Sequence, residues 1–351
     1  MSQNTVKNGK QGSSHRYLCH DCNHSFSIYH GSDPGILWIE HIDGVPFRKL
    51  GNENDLSGKQ TYQRIKKELS QLPTNDQLTK TLCDPNRFSN ILILDGKYVA
   101  VKDFERKIPF IYGIDYLTHD IPCGDLFVSE DELSFSTYFG RLKQLRYIPR
   151  IVVADDRAGL KQALNKVFPY ARLQLCHNHY LENLRQVLKF RSDVKYHHFF
   201  NSLRLHVFQV TDDSRIVEGL KHVMQTHVSQ NTLLQNIVSE VYDRREDLFN
   251  YLKISDCPNN TNLIELYNSH LNGRLKTVKG FQSLASARLW LNAYLIRRRT
   301  KPLTDCGPKF KHLNKHASLE LSIKKQAQWP ESLKNLGINK VKFFEKSGNI
   351  N

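Results

Sequence analysis

Between residues 89 and 177 the chain alternates short apolar runs with polar stretches that carry turn-forming residues. NILILDGKYVAV, PFIYGIDYL and IPCGDLFVS are rich in Ile, Leu, Val, Phe and Tyr and are broken by Gly, Pro and Asp, the pattern of three successive strands. DELSFSTYFGRLKQLRY then reads as a helix, PRIVVADD as a buried strand ending in two acids, RAGLKQALNKVF as a second helix, and YARLQLC as a fifth strand. The order β-β-β-α-β-α-β predicts an α/β fold: a meander of three strands, extended by right-handed crossovers into a mixed five-stranded sheet with flanking helices. Beyond residue 177 the period becomes helical, as at Ile237, Val241 and Leu248 in an all-helical stretch over 178–257. TNLIELYNSHLNGRLKTVKGF and SLASARLWLNAYLIRRR follow as two more helices within 258–301, and 302–351 forms a basic C-terminal segment.

Ahead of the sheet, residues 31–88 hold one strong helical signal, LSGKQTYQRIKKELSQLP. Ser57 is placed to cap it, Ile65, Leu69 and Leu72 recur at helical spacing, and Pro73 ends it. Lys59, Arg64, Lys66 and Lys67 occupy its other faces, and NENDLS before it has the length of a helix-turn-helix turn. An ordinary surface helix competes with that DNA-reading one. Residues 1–16 are polar and read as a flexible lead-in to a small segment ending near residue 30.

With 351 residues, 39% hydrophobic and 10% aromatic, the chain has material for more than one packed unit and is not a disordered polymer. The net charge of +15 is concentrated at the C-terminal end: from Thr261 onward there are 17 Lys+Arg against 5 Asp+Glu. Such a cationic third points to a polyanionic partner, most simply double-stranded DNA. No apolar run reaches 18 residues and the N-terminus lacks the apolar core of a signal peptide, so no membrane partner is expected. The seven cysteines are mostly scattered, which fits a reducing cytoplasm better than a disulfide framework.

Four groups of residues could carry chemistry. Asp95 and Asp155 each follow an apolar run, so parallel neighbouring strands would set them side by side at the sheet's carboxyl edge, where α/β folds bind ligands. Two facing carboxylates repel unless a cation lies between them, and Mg2+ prefers oxygen ligands. Asp156 competes with Asp155, although strand alternation turns it the other way. Glu265 is the only acid between Asp256 and Asp305, in a stretch crowded with cations. A helix starting near Thr261, which could cap it, would bring this third carboxylate to the pair, and three carboxylates around two ions suit two-metal phosphoryl transfer. Arg274, Lys276, Lys279, Arg297, Arg298 and Arg299 would then grip the DNA backbone. Cys176 and His179 form a C-x-x-H pair, but two ligands are not a zinc site, and packing with hydrogen bonding is the favoured role. Cys19 and Cys22 form a C-x-x-C with His15, His20, His24 and His30 nearby but no firm set of four ligands.

ILILDGKYV, VVADDRAGL, FPYARLQLCHNHYLENLR and TNLIELYNSHLNGRLKTVKGFQSLASARLWL, taken in order over residues 89–301, resemble the Mutator-like transposases of bacterial insertion sequences. The resemblance implies an RNase H-like core and a D-D-E triad at Asp95, Asp155 and Glu265 holding Mg2+ or Mn2+, two ions in all. It marks Cys176 and His179 as a family motif and Asp156 as a departure at a position that is usually small. It implies cleavage of element ends, strand transfer into target DNA, and a homo-oligomer that brings two ends together. RYLCHDCNHSFS resembles the second half of a zinc ribbon. The first C-x-x-C is absent, which predicts weak or no zinc binding and hints at a late-starting reading frame. Two other functions compete: an inactive, DNA-binding remnant and a nuclease of the same fold.

Overall fold

The computed structural model describes residues 4–11, 14–29, 35–228 and 231–344. It opens on an antiparallel meander of β1 (Thr5–Gln11), β2 (Ser14–Cys19) and β3 (Ser25–Tyr29). Thr5 pairs with Cys19 and Lys7 with Tyr17, so much of the polar lead-in is strand. Backbone pairing explains the difference, since a ladder needs no apolar run to form it. Cys19 is buried and Cys22 exposed in the turn that follows β2. Among the described residues no cluster of three metal-ligating side chains includes either one. His30 lies outside the described residues.

Four helices follow: α1 (Trp38–Ile42), α2 (Phe47–Glu53), α3 (Gly58–Gln71) and α4 (Asn75–Leu82). At the start of α3, Ser57 and Gln60 each accept from the other's backbone N–H, a capping box that satisfies two orphan donors. Ile65 and Leu69 are buried, and the chain leaves the helix at Leu72, ahead of Pro73. Residues 54–57 join α2 to α3, while Lys59, Lys66 and Lys67 face solvent.

The central sheet has the predicted order of elements: β4 (Ile91–Val99), β5 (Ile108–Asp115), β6 (Cys123–Leu126), α5 (Glu132–Gln144), β7 (Ile151–Ala154), α6 (Leu160–Val167) and β8 (Arg172–Leu175). Spatially the strands run β6-β5-β4-β7-β8, antiparallel through β4 and parallel from β4 to β8. This five-stranded mixed sheet with its helices is consistent with an RNase H-like core. Ile91 to Leu94 are all buried because both faces of β4 are covered. On one face, the absence of a side chain at Gly113 makes room for Leu92 and for Tyr138 of α5, whose atoms would lie 2.6 and 2.8 Å from a Cβ there. Asp95 and Tyr112, paired across β4 and β5, point to the other face.

The strands then give way to helices, as the change of period predicts: α7 (His177–Val187), α8 (His197–Leu203) continuing into a π-helical turn (Arg204–Phe208), α9 (Ser214–His227), α10 (Thr232–Asp243) and α11 (Arg245–Phe249). Ile237, Val241 and Leu248 are buried in this layer. The long helices α12 (Asn262–Val278) and α13 (Leu284–Thr300) return to the sheet, α12 against β4 and α13 against β6 and α3. The short α14 (Ser318–Ser322) and α15 (Glu331–Asn335) complete the fold, with Trp38 Nε1 of α1 donating to Leu336 O at 3.0 Å.

Of the three arginines at the end of α13, Arg299 does not belong to the DNA surface expected of it, while Arg297 and Arg298 are half-buried. Arg299 is fully buried; its guanidinium donates to both oxygens of Asp120 at 2.8 Å and to Thr79 Oγ1 at 2.8 Å. Arg297 is held by Asp43, with Nη2 donating to Oδ2 at 2.7 Å, and Arg298 stacks over the Tyr267 ring. The reason is the enclosure of α13: packed between the sheet and the N-terminal helices, it turns Arg299 inward, and a buried cation persists only with an acid to pair it.

Candidate active site

The site begins with strand register. Ile91, Leu92 and Ile93 of β4 pair in parallel with Ile151, Val152 and Val153 of β7. Two residues further along the same register, Asp95 comes level with Asp155, the residue after β7 ends. The two carboxylates feel each other: burial first, and the Asp155 charge second, push the Asp95 carboxyl up to about 6. Burial also pushes Asp155 up, against the pull of His179 and Arg157, with Glu265 and Glu130 adding to the rise. Asp156 is turned outward into an ion pair with Arg244 at 2.8 Å.

Glu265 stands in the first turn of α12, with a half-exposed side chain. Thr261 sits at the start of the helix but does not cap it through its side chain. Its hydroxyl instead donates to Glu265 Oε1 at 2.9 Å and lies 3.2 Å from Cys176 Sγ. Cys176 and His179 straddle the junction of β8 and α7. His179 Nδ1 lies 2.6 Å from Asp155 Oδ1, 3.3 Å from Cys176 Sγ and 3.9 Å from Glu265 Oε1. The C-x-x-H pair is therefore inside the acidic site, bridging the second and third carboxylates.

Two contributors escaped the sequence reading. Asn268, one turn beyond Glu265, donates from Nδ2 to Asp95 Oδ2 at 2.6 Å and accepts from the Tyr112 hydroxyl at 2.8 Å. Its i+3 spacing from Glu265 was the available signal. Glu130 is a fourth acid at the site: it accepts from the Tyr98 hydroxyl at 3.0 Å and lies 3.6 Å from Arg157 Nε, which also approaches Asp155. Gly96 permits this, since a Cβ there would meet Glu130 Oε1. No sequence signal marks Glu130, which lies on the loop between β6 and α5.

The donor set suits a hard divalent cation. Asp155 Oδ1 is buried and receives no well-aligned hydrogen bond, so one lone-pair direction is unanswered. Two buried carboxyls, both pushed upward by burial and by neighbouring acids, are what a cation bound by oxygen ligands would relieve.

Arg274 and Lys276 lie in the second half of α12 and Lys279 just past its end, with Lys276 and Lys279 exposed. Beyond the helix, Phe281 pairs with Val101 in the loop after β4, which brings exposed Lys102, Arg106 and Lys107 to line one groove with Lys279. These hairpin cations were not singled out in the sequence because they lie far from the basic C-terminal third.

A model of the Mutator family of transposases matches residues 90–299, the stretch that holds the whole acidic site. The chain belongs to the Mutator family of transposases. It is 25% identical over 272 residues to the transposase for insertion sequence element IS256 in transposon Tn4001 of Staphylococcus aureus, covering 73% of this chain and 67% of that one. The relative of the same description in Enterococcus faecalis matches to the same extent. Membership supports transposase function of the insertion-sequence type, and hence action on DNA. No helix among the described residues of this Mutator-family chain is long and apolar enough to cross a membrane.

Proposed function

We propose that this chain cuts the ends of an insertion sequence and joins them to target DNA, with Asp95, Asp155 and Glu265 holding two Mg2+ (or Mn2+) ions. The observation that carries the proposal is the β4–β7 register, which levels Asp95 with Asp155 in a chain whose family match spans both and Glu265. When bound, the ions would activate the attacking oxygen and stabilise the leaving one. The remaining work is positioning and charge. Asn268 holds Asp95 in place from α12, and Thr261 holds Glu265. Arg157 offsets part of the negative charge around Asp155 and Glu130. Arg274, Lys276 and Lys279, with the hairpin cations, would hold the DNA backbone. Bringing two ends together requires more than one protomer, so the active form is a homo-oligomer, working in the cytoplasm.

The test is Mg2+-dependent cleavage and strand transfer on labelled element-end DNA, with binding measured in parallel. Asp95→Asn, Asp155→Asn and Glu265→Gln should each bind DNA as the parent does and neither cut nor join it, while Asp156→Asn should stay active. An exposed ion pair is worth ~0–1 kcal/mol, so if Glu265 were only a solvated partner, Glu265→Gln would cut at the parent rate, and that result would end the triad assignment. Cleavage without joining would mark a nuclease, and binding alone an inactive remnant.

A further inference from the structure

The C-x-x-H pair brings a second metal chemistry to the acidic site. Two ligands are no site, but the fold adds a third: ligand atoms of Asp155, Cys176 and His179 all lie within 4.8 Å of one another, the only such trio among the described residues. The donors are a carboxylate oxygen, a thiol sulfur and an imidazole nitrogen, the mixed set that zinc takes with three protein ligands and one open position. Zinc bond lengths of about 2.0–2.3 Å imply donor-to-donor edges of roughly 3.3–3.7 Å in a tetrahedron. The His179 Nδ1 to Cys176 Sγ edge is already 3.3 Å. The edge from Nδ1 to Asp155 Oδ1, at 2.6 Å, must open, and the half-exposed His179 ring is free to make that shift. Asp155 Oδ1 is buried, and its close contact with His179 Nδ1 is not aligned as a hydrogen bond. Glu265 Oε1 lies 3.9 Å from Nδ1.

We propose that Asp155, Cys176 and His179 form a zinc site that shares its carboxylate with the triad, so that Zn2+ competes with Mg2+ and arrests the reaction. Binding converts the Cys176 thiol to thiolate, with the proton released to solvent. Mg2+ makes little use of sulfur or nitrogen donors, so the two ions want overlapping but different ligand sets. The site would make the protein sensitive to free zinc at the residue it needs for catalysis.

The zinc site itself does not depend on the triad assignment; only the inhibition does. Both are tested on the full chain carrying Cys19→Ser and Cys22→Ser, which removes the C-x-x-C thiols. Co2+ is titrated as a spectroscopic stand-in for zinc and then displaced by Zn2+. One equivalent of Co2+ should raise a thiolate-to-cobalt charge-transfer band that Zn2+ abolishes. Adding Cys176→Ser should remove the band and weaken Zn2+ binding by at least about tenfold. His179→Gln, at a half-exposed position that puts the fold at little risk, should weaken binding similarly. No band in the parent, a band that survives Cys176→Ser, or Zn2+ affinity unchanged in His179→Gln would each overturn the site. One equivalent of Zn2+ should also stop Mg2+-supported cleavage of element-end DNA; cleavage that continues would overturn the competition. If no cleavage occurs even without zinc, the proposed cleavage and joining activity fails, and the cobalt spectrum still decides the site.

Discussion

Asn268 Nδ2 lies 2.6 Å from Asp95 Oδ2, a single hydrogen bond that ties α12 to the central strand of the sheet. The other end of the amide accepts from Tyr112, which stands opposite Asp95 in the β4–β5 register. Three side chains from three elements thus form a hydrogen-bonded relay ending on the first carboxylate, and the helix it anchors also carries Glu265. Such outer-shell partners typically affect activity by about 10–100-fold. Asn268→Ala should therefore slow cleavage by about that factor with DNA binding unchanged, and Tyr112→Phe should do so less. A parent-like cleavage rate in Asn268→Ala would reduce the amide to packing.

The raised Asp95 carboxyl predicts a stability cost of the site. Its native pKa of about 6 exceeds the ordinary 3.8, so between those values the native state binds more protons than the unfolded state. Stability from this group is then full below about pH 4 and falls as pH rises through about 6. Asp95→Asn removes the charge but keeps the shape. Without metal at about pH 7.5 it should be more stable than the parent by about 1–3 kcal/mol in urea unfolding, with the gap closing near pH 4. Mg2+ should stabilise the parent more than the variant. A less stable Asp95→Asn at neutral pH would mean that the carboxylate is satisfied without a cation.

The sheet was legible because short runs such as ILIL of β4 and IVVA of β7 are rich in Ile, Leu and Val and stand between turn residues. Asp95 and Asp155 were legible because they follow such runs directly. What could not be read were partners set by tertiary packing. RRR at 297–299 is an obvious basic run, yet the acids that pair Arg297 and Arg299, Asp43 and Asp120, lie more than 170 residues away in sequence. Glu130 joins the site only because Gly96 leaves room for it. Cys176 and His179 were visible as a pair, but the third donor beside them depends on how β7 and β8 align.

The burial of Arg299 distinguishes a structural cation from a DNA-binding one. Removing one partner of a buried ion pair leaves an uncompensated charge and costs about 3–5 kcal/mol. Arg299→Ala should lower stability by that amount in denaturant unfolding, through the stranded Asp120. Under conditions where the variant stays folded, its DNA binding should keep the parent's salt dependence. A shallower salt dependence in folded Arg299→Ala would return the residue to the DNA surface.

The DNA grip should instead run along α12. At 1.5 Å per residue, Lys276 lies about 16 Å beyond Glu265 along the helix axis, close to five base-pair rises of about 3.4 Å. A duplex whose scissile phosphate sits at the acidic site could therefore lay its backbone over Lys276 and Lys279. Arg274 is half-buried over Gly44, where its guanidinium fills the space a Cβ would need, so it should contribute less than the two lysines. Replacing Arg274, Lys276 and Lys279 together with Ala should weaken binding to any duplex and reduce the slope of log K against log salt by about 0.9 per lost phosphate contact. Because phosphate contacts position DNA without reading bases, preference for the element end over random duplex should survive. At saturating DNA and low salt the triple variant should still cleave, since none of the three touches the carboxylates. The measurement is a salt titration of binding for parent and variant on both duplexes. An unchanged slope would remove α12 from the DNA path, and a loss confined to the element-end sequence would show that these side chains read bases.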